Sequence, residues 1–99
     1  TAVLKYNAEA TGEKYRDIAD KFGIEDAYTG DLAKVRDEAV AAVRKLGQNV
    51  GIPKTISELG VKTEDIPQIA QDAFKDVCTP GNPRDTSVEE IVGLYQSMM

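Results

Sequence analysis

Histidine is absent from this 99-residue chain. That removes both the commonest metal ligand and the commonest general base. Cysteine occurs once, at Cys78. No internal disulfide can form, and a reducing, cytoplasmic setting is the expectation. Neither G-x-G-x-x-G nor G-x-x-x-x-G-K-[ST] occurs, so no phosphate cradle can be placed. No apolar run approaches the roughly 20 residues of a membrane span, and no signal peptide is recognisable. Basic residues form no stripe: 12 Lys and Arg are interleaved with 17 Asp and Glu, for a net charge of −5. Nucleic acid and membrane are therefore not expected partners. Strand-like alternation, internal repeats and low-complexity segments are also missing. Taken alone, the sequence does not encode a complete active site.

What is present suits a folded helical protein. Apolar residues make up 41% and charged residues 29%, a balance that supports a core. The expectation is one all-α domain over residues 1–99, a bundle of four longer helices with short ones between them. "TAVLKYNA" opens without methionine on Val3, Leu4 and Tyr6 and reads as the tail of a helix that continues from upstream. In "ATGEKYRDIADKFGI", Thr11 is the expected N-cap and Gly23 the stop. Tyr15, Ile18, Ala19 and Phe22 make one apolar stripe. In "GDLAKVRDEAVAAVRKLGQNVGIP", Asp31 is the expected cap. Leu32, Val35, Ala39, Val43, Leu46 and Val50 trace one face, Gly47 is a weak interior point, and Gly51 with Pro53 ends the helix. Ala39, Ala41 and Ala42 are small enough to admit a second helix closely.

Further on, Thr55 and Glu58 have capping-box spacing, with Gly60 closing a short turn. Asp65 is the expected cap of a helix that tolerates Pro67 in its first turn and buries Ile66, Ile69, Ala70, Ala73, Phe74 and Val77. After the break "TPGNPR", Ser87 and Glu90 form a second capping box. The last helix faces Val88, Ile91, Val92 and Tyr95 inward.

Three groups could carry chemistry. Cys78 closes a helix beside Thr79-Pro80-Gly81; it reads either as a small buried hydrophobe or as a thiol lining a pocket. No histidine is available to activate it, so a nucleophilic role is not expected. Asn82-Pro83-Arg84 is a stiff loop. Asn82 precedes proline and should be extended, Gly81 permits a turn or a close approach, and Arg84 should satisfy the last carbonyls of the preceding helix or pair with an acid such as Asp85, Glu89 or Glu90. Glu25-Asp26 and Glu64-Asp65 lack the calcium-loop pattern and read as helix-start partners.

"ATGEKYRDIA", "VGIPKTISELGV", "EDIP" and "DVCTPGNPRDTSVEEIVGLY", in that order, resemble the C-terminal end of the iron-containing alcohol dehydrogenases. Within that family they look most like the lactaldehyde reductase (1,2-propanediol oxidoreductase) branch. The resemblance runs from about Tyr6 onward. It implies the C-terminal part of the all-α domain of the dehydroquinate synthase-like fold, cut from a much longer parent. It further implies that the parent transfers hydride between NAD and a small alcohol or aldehyde. Its NAD would be bound by an N-terminal domain, and its Fe2+ by an aspartate and three histidines. This chain departs from that pattern by having no histidine, so no metal or NAD ligand carries over and the chain alone is expected to bind neither and to be inactive. One position does carry over: Cys78, whose counterpart faces the substrate pocket. Cut away from the NAD domain and the metal-bearing helices, the chain is expected to expose apolar surface and self-associate. The residues alone leave a second reading open, a stand-alone helical module that binds another protein.

Overall fold

A computed structural model describes residues 1–99. All regular structure is helical, and no strand forms, as the periodicity predicts. Five α-helices, α1 (Ala2–Asn7), α2 (Lys14–Lys21), α3 (Leu32–Asn49), α4 (Ile66–Lys75) and α5 (Val88–Gln96), are joined by loops and short 3-10 turns. The chain forms two compact units, Val3–Ile52 and Pro53–Met99. No helix is long and apolar enough to cross a membrane.

In the first unit α2 packs on α3. Tyr15 and Ala19 of α2 meet Val35, Ala39 and Val40 of α3, and Ala27 joins them from the intervening loop. Spacings of four on each helix put these side chains on one face. Alanines at the contact let the two axes approach closely. Tyr15 keeps its polar tip satisfied by donating to the Leu4 carbonyl at 2.7 Å. Burial pushes its phenol pKa up, partly offset by the Arg36 guanidinium.

The loop between α2 and α3 is strapped down by side chains. Arg16 Nη1 donates to the carbonyls of Ala27 and Gly30, both at 2.9 Å, while its Nε donates to Glu13 at 3.1 Å. Tyr28 donates to Asp17 at 2.8 Å, and Lys34 Nζ to Asp26 at 3.0 Å. The hydrogen bond from Lys34 holds the Asp26 carboxyl below its ordinary range, and the same bond raises Lys34. Asp31 caps α3 as predicted, accepting from the Lys34 N–H at 3.2 Å. Gly51, at φ +80°, ends α3 in the left-handed region that a side chain would strain.

Two predictions for this unit differ from what forms. Thr11 is not an N-cap: its hydroxyl donates to the Ala8 carbonyl at 2.7 Å and closes the 3-10 turn Ala8–Thr11. The local bond satisfies the hydroxyl two residues before the N-cap position, which Glu13 occupies. The apolar stripes also run further than the burial does. Phe22, Leu46 and Val50 are exposed. An eight-residue α2 is about 12 Å long and an 18-residue α3 about 27 Å, so α2 covers only part of its neighbour.

In the second unit α4 packs on α5, burying Ile66, Ala70 and Ile91. Pro67 sits in the first turn of α4, as predicted. Asp65 stands at the N-cap of α4, as predicted, but its carboxylate makes no bond to that helix; it accepts from the Lys62 N–H at 2.9 Å and closes the preceding turn. Glu58 accepts from the N–H groups of Lys54 and Thr55 at 3.2 and 3.3 Å, but the residue at the N-cap is Ile56 rather than Thr55. The Ser87–Glu90 capping box forms in full: Glu90 N–H donates to Ser87 Oγ at 3.2 Å and Ser87 N–H to Glu90 Oε2 at 2.9 Å. Ile56 N–H donates to the Met98 carbonyl at 2.9 Å, tying the last residues to this unit.

Candidate functional site: the Cys78 turn

The chain leaves α4 at Asp76, whose backbone is extended with ψ 136°. Asp76 Oδ1 then accepts from the Cys78 N–H at 2.8 Å, the two-residue reach of an Asx turn. Thr79 Oγ1 donates back to the Ala73 carbonyl at 2.6 Å, at the end of α4 where carbonyls lack helical partners. Thr79–Gly81 forms a 3-10 turn, with Gly81 N–H on the Cys78 carbonyl and Asn82 N–H on the Thr79 carbonyl, each at 3.0 Å.

The far side of the turn is fixed as well. Asn82 is extended, φ −64° and ψ 136°, as its place before proline requires. Its amide donates to the Arg84 carbonyl at 2.6 Å. Arg84 Nη2 pairs with Glu90 Oε1 at 3.1 Å, and Glu90 is the acid of the α5 capping box. Arg84 therefore meets one of the three acids named for it from sequence. Gly81 needs neither a left-handed backbone nor a close approach within this chain, since a Cβ there would meet nothing within 4 Å.

On this turn Cys78 is exposed. The reading of it as a buried hydrophobe does not hold, because the chain leaves α4 before the thiol can turn onto α5. Val77 beside it is 91% exposed and Phe74 one turn back is 44% exposed. Phe74 and Val77, predicted on the buried face of α4, lie beyond the part that α5 covers. The end of α4 thus leaves a thiol and two apolar side chains open to solvent. With no imidazole in the chain to act as base, it does not itself supply proton transfer.

The iron that the motifs imply finds no donor set here. The chain has no histidine, and no group of three or more Cys, Asp or Glu side chains is arranged to hold a metal ion. The acidic pairs are engaged locally: Asp26 with Lys34 at 3.0 Å, Glu64 with Lys62 at 3.6 Å, and Asp65 in its turn. The residues present do not fit the metal. Reading the sequence singles out Cys78 and Arg84 but treats Thr79 only as loop and passes over Asp76. The available signal was the D-x-C-T order, an Asx-turn acceptor two residues before the cysteine.

Comparison with known proteins agrees with the motifs. The family model described as "Fe-containing alcohol dehydrogenase family, C-terminal" matches residues 1–99. Lactaldehyde reductase of Escherichia coli K12 is 50% identical over 95 residues, covering 96% of this chain and 25% of that protein. The 1,3-propanediol dehydrogenase of Klebsiella pneumoniae is 38% identical over 96 residues, covering 95% of this chain and 24% of that protein. A crystal structure of 1,3-propanediol oxidoreductase superposes with a TM-score of 0.89 at 33% identity, covering 99% of this chain and 25% of the other. The chain thus spans about a quarter of the length of the curated relatives it matches. It is a member of the iron-containing alcohol dehydrogenase family and corresponds to its C-terminal, all-helical part.

Proposed function

We propose that this chain is part of a longer, iron-dependent, NAD-linked oxidoreductase that interconverts small alcohols or diols and aldehydes, of the lactaldehyde/1,2-propanediol type. The observation that carries the reading is 50% identity to a lactaldehyde reductase across 96% of the chain. A further relative is named NAD-dependent methanol dehydrogenase, from Bacillus methanolicus, at 35% identity over 97 residues, which supports NAD as the parent's cofactor. Residues 1–99 are read as one piece of the parent's helical domain, since a single family model runs through both compact units. NAD and iron belong to residues outside this chain, and its own contribution is the Cys78 turn as a wall of the substrate pocket. The setting is cytoplasmic. Separated from the NAD domain and the metal-bearing helices, the chain self-associates through exposed apolar side chains such as Leu46, Val50, Ile52 and Val77.

The test is turnover. The full-length enzyme should reduce lactaldehyde with NADH, and the 99-residue chain with added ferrous iron should not. Replacing Cys78 by leucine in the full-length enzyme should raise KM for the small alcohol, because bulk is added to the pocket wall. Turnover by the isolated chain, or a full-length enzyme inert towards short alcohols and aldehydes, would sink the reading. Light scattering of the isolated chain checks the self-association; a strictly monomeric species would remove that part.

A further inference from the structure

We infer that the open cleft between α1 and α3 binds a small dianion, a phosphate group either free or carried as the ester of a small polyol. The cleft lies within the first unit and has a volume of about 440 Å³, inside the range of small-molecule sites. Lys5 lines it from α1, and Asp37, Arg44, Lys45, Gln48 and Asn49 line it from α3. Asp37, Arg44 and Gln48 recur at steps of seven and four, which puts them on one face of the helix. The base of the cleft is part of the core: Val40 lines it and is 8% exposed within the α2–α3 cluster. A packed helix therefore carries five of the six polar side chains.

The charges in the cleft do not neutralise one another. Arg16, Lys34, Lys62 and Arg84 each meet an acid elsewhere in the chain, whereas Lys5, Asp37, Arg44 and Lys45 form no ion pair. Arg44 uses only its Nε, on Thr1 Oγ1 at 3.4 Å, which leaves its two terminal nitrogens for a ligand. Three cations less one carboxylate give the cleft a net charge of +2, in a chain whose total is −5. Cations near the carbonyl end of α3 also complement its dipole. That role needs only Arg44 and Lys45, and it leaves Lys5, on another helix, unexplained. A dianion matches the excess. The Arg44 fork can hold two phosphate oxygens, with Lys5 and Lys45 as point charges from α1 and α3. Asp37 repels the phosphate itself but can accept from hydroxyl groups, and the carboxamides of Gln48 and Asn49 can donate or accept. A hydroxylated ester would use all of these groups.

Isothermal titration calorimetry on the full-length protein tests the inference, which does not rest on the reading of Cys78. The probes are inorganic phosphate and glycerol 1-phosphate at low salt, with NAD in excess so that the cofactor's own phosphate site is filled. Each probe should bind saturably, and added sodium chloride should weaken binding. Lys5→Gln and Arg44→Gln should each weaken phosphate by about fivefold, the factor for one unit charge at contact distance in water. Asp37→Asn removes a repulsion and should tighten phosphate by about twofold. All four charged residues are exposed, so these substitutions leave the core untouched. Tighter binding of glycerol 1-phosphate than of phosphate assigns the ester as ligand; equal affinity assigns free phosphate. No saturable binding of either probe, or binding that Lys5→Gln, Arg44→Gln and Asp37→Asn all leave unchanged, overturns the inference.

Discussion

Where Val3–Ile52 buries Tyr15, Ala19, Ala27, Val35, Ala39 and Val40, Pro53–Met99 buries only Ile66, Ala70 and Ile91. The second unit makes up part of the difference with polar bonds of short reach: Glu58 to Lys54 and Thr55, Asp65 to Lys62, Asp76 to Cys78, Thr79 to Ala73, and the Ser87–Glu90 box. The candidate site lies in this sparsely packed unit. Apolar burial is non-directional, whereas a hydrogen bond fixes a distance and an angle. The turn that carries Cys78 is specified by the second kind of contact.

Mutation and titration can break or sharpen that contrast. The largest effect is expected at Ile66, 1% exposed and the largest fully buried side chain: Ile66→Ala should cost about 2–5 kcal/mol by urea denaturation. With so few other buried side chains in its unit, it should also erase amide protection in α4 and α5. Comparable protection of α2–α3 and α4–α5 amides in the unaltered chain would break the comparison.

Next is Arg16, which holds two carbonyls and a carboxylate in the first unit. Arg16→Met should cost about 2–3 kcal/mol, the scale of hydrogen bonds from a charged donor. The loss should appear as faster exchange across residues 24–31. Ser87→Ala removes one half of the α5 capping box and should cost about 1 kcal/mol in thermal or urea melts. A null result there would mean that the short polar bonds of the second unit are decorative.

The smallest effects are in pH. Tyr15 has its phenol pKa raised by burial, so its contribution is complete below the unfolded value of about 10 and is lost as pH rises beyond it. Tyr15→Phe should flatten that alkaline loss in melts compared between pH 8 and pH 11. Asp26 has the opposite sign: lowered by the hydrogen bond from Lys34, it contributes above its unfolded value and the contribution disappears as pH falls below about 4. The pair is exposed, so salt should weaken it further. Lys34→Ala should remove this acid-side dependence.

Much of the helical framework was legible residue by residue. Asp31 caps α3, Ser87 and Glu90 form their box, and Gly51 stops α3, because each depends on atoms within one turn of chain. Thr11 was the right chemistry in the wrong place, and Asp65 stands at the N-cap of α4 without making the cap bond. Each side chain found a backbone partner three residues earlier and closed a 3-10 turn instead of opening an α-helix. In the site, the order of residues around Cys78 identified the family, and proline fixed Asn82. Exposure of Cys78 was not legible, since periodicity gives the direction of a side chain and not the extent of its neighbour. The same limit explains Phe22, Leu46, Val50, Phe74 and Val77, which continue apolar stripes past the point where another helix covers them.

By itself the amino-acid order determined that this chain is all-helical, roughly where most of its helices begin and end, and to which family it belongs. The first two follow from dihedral preference, caps and apolar spacing within a few residues, and the third from the resemblance of its motifs to the family. Tertiary structure alone decided which stretches of each stripe are covered, and it alone brought Arg16 onto carbonyls eleven and fourteen residues away. Burial and long-range hydrogen bonds depend on where a second segment lies, and no local spacing encodes that position.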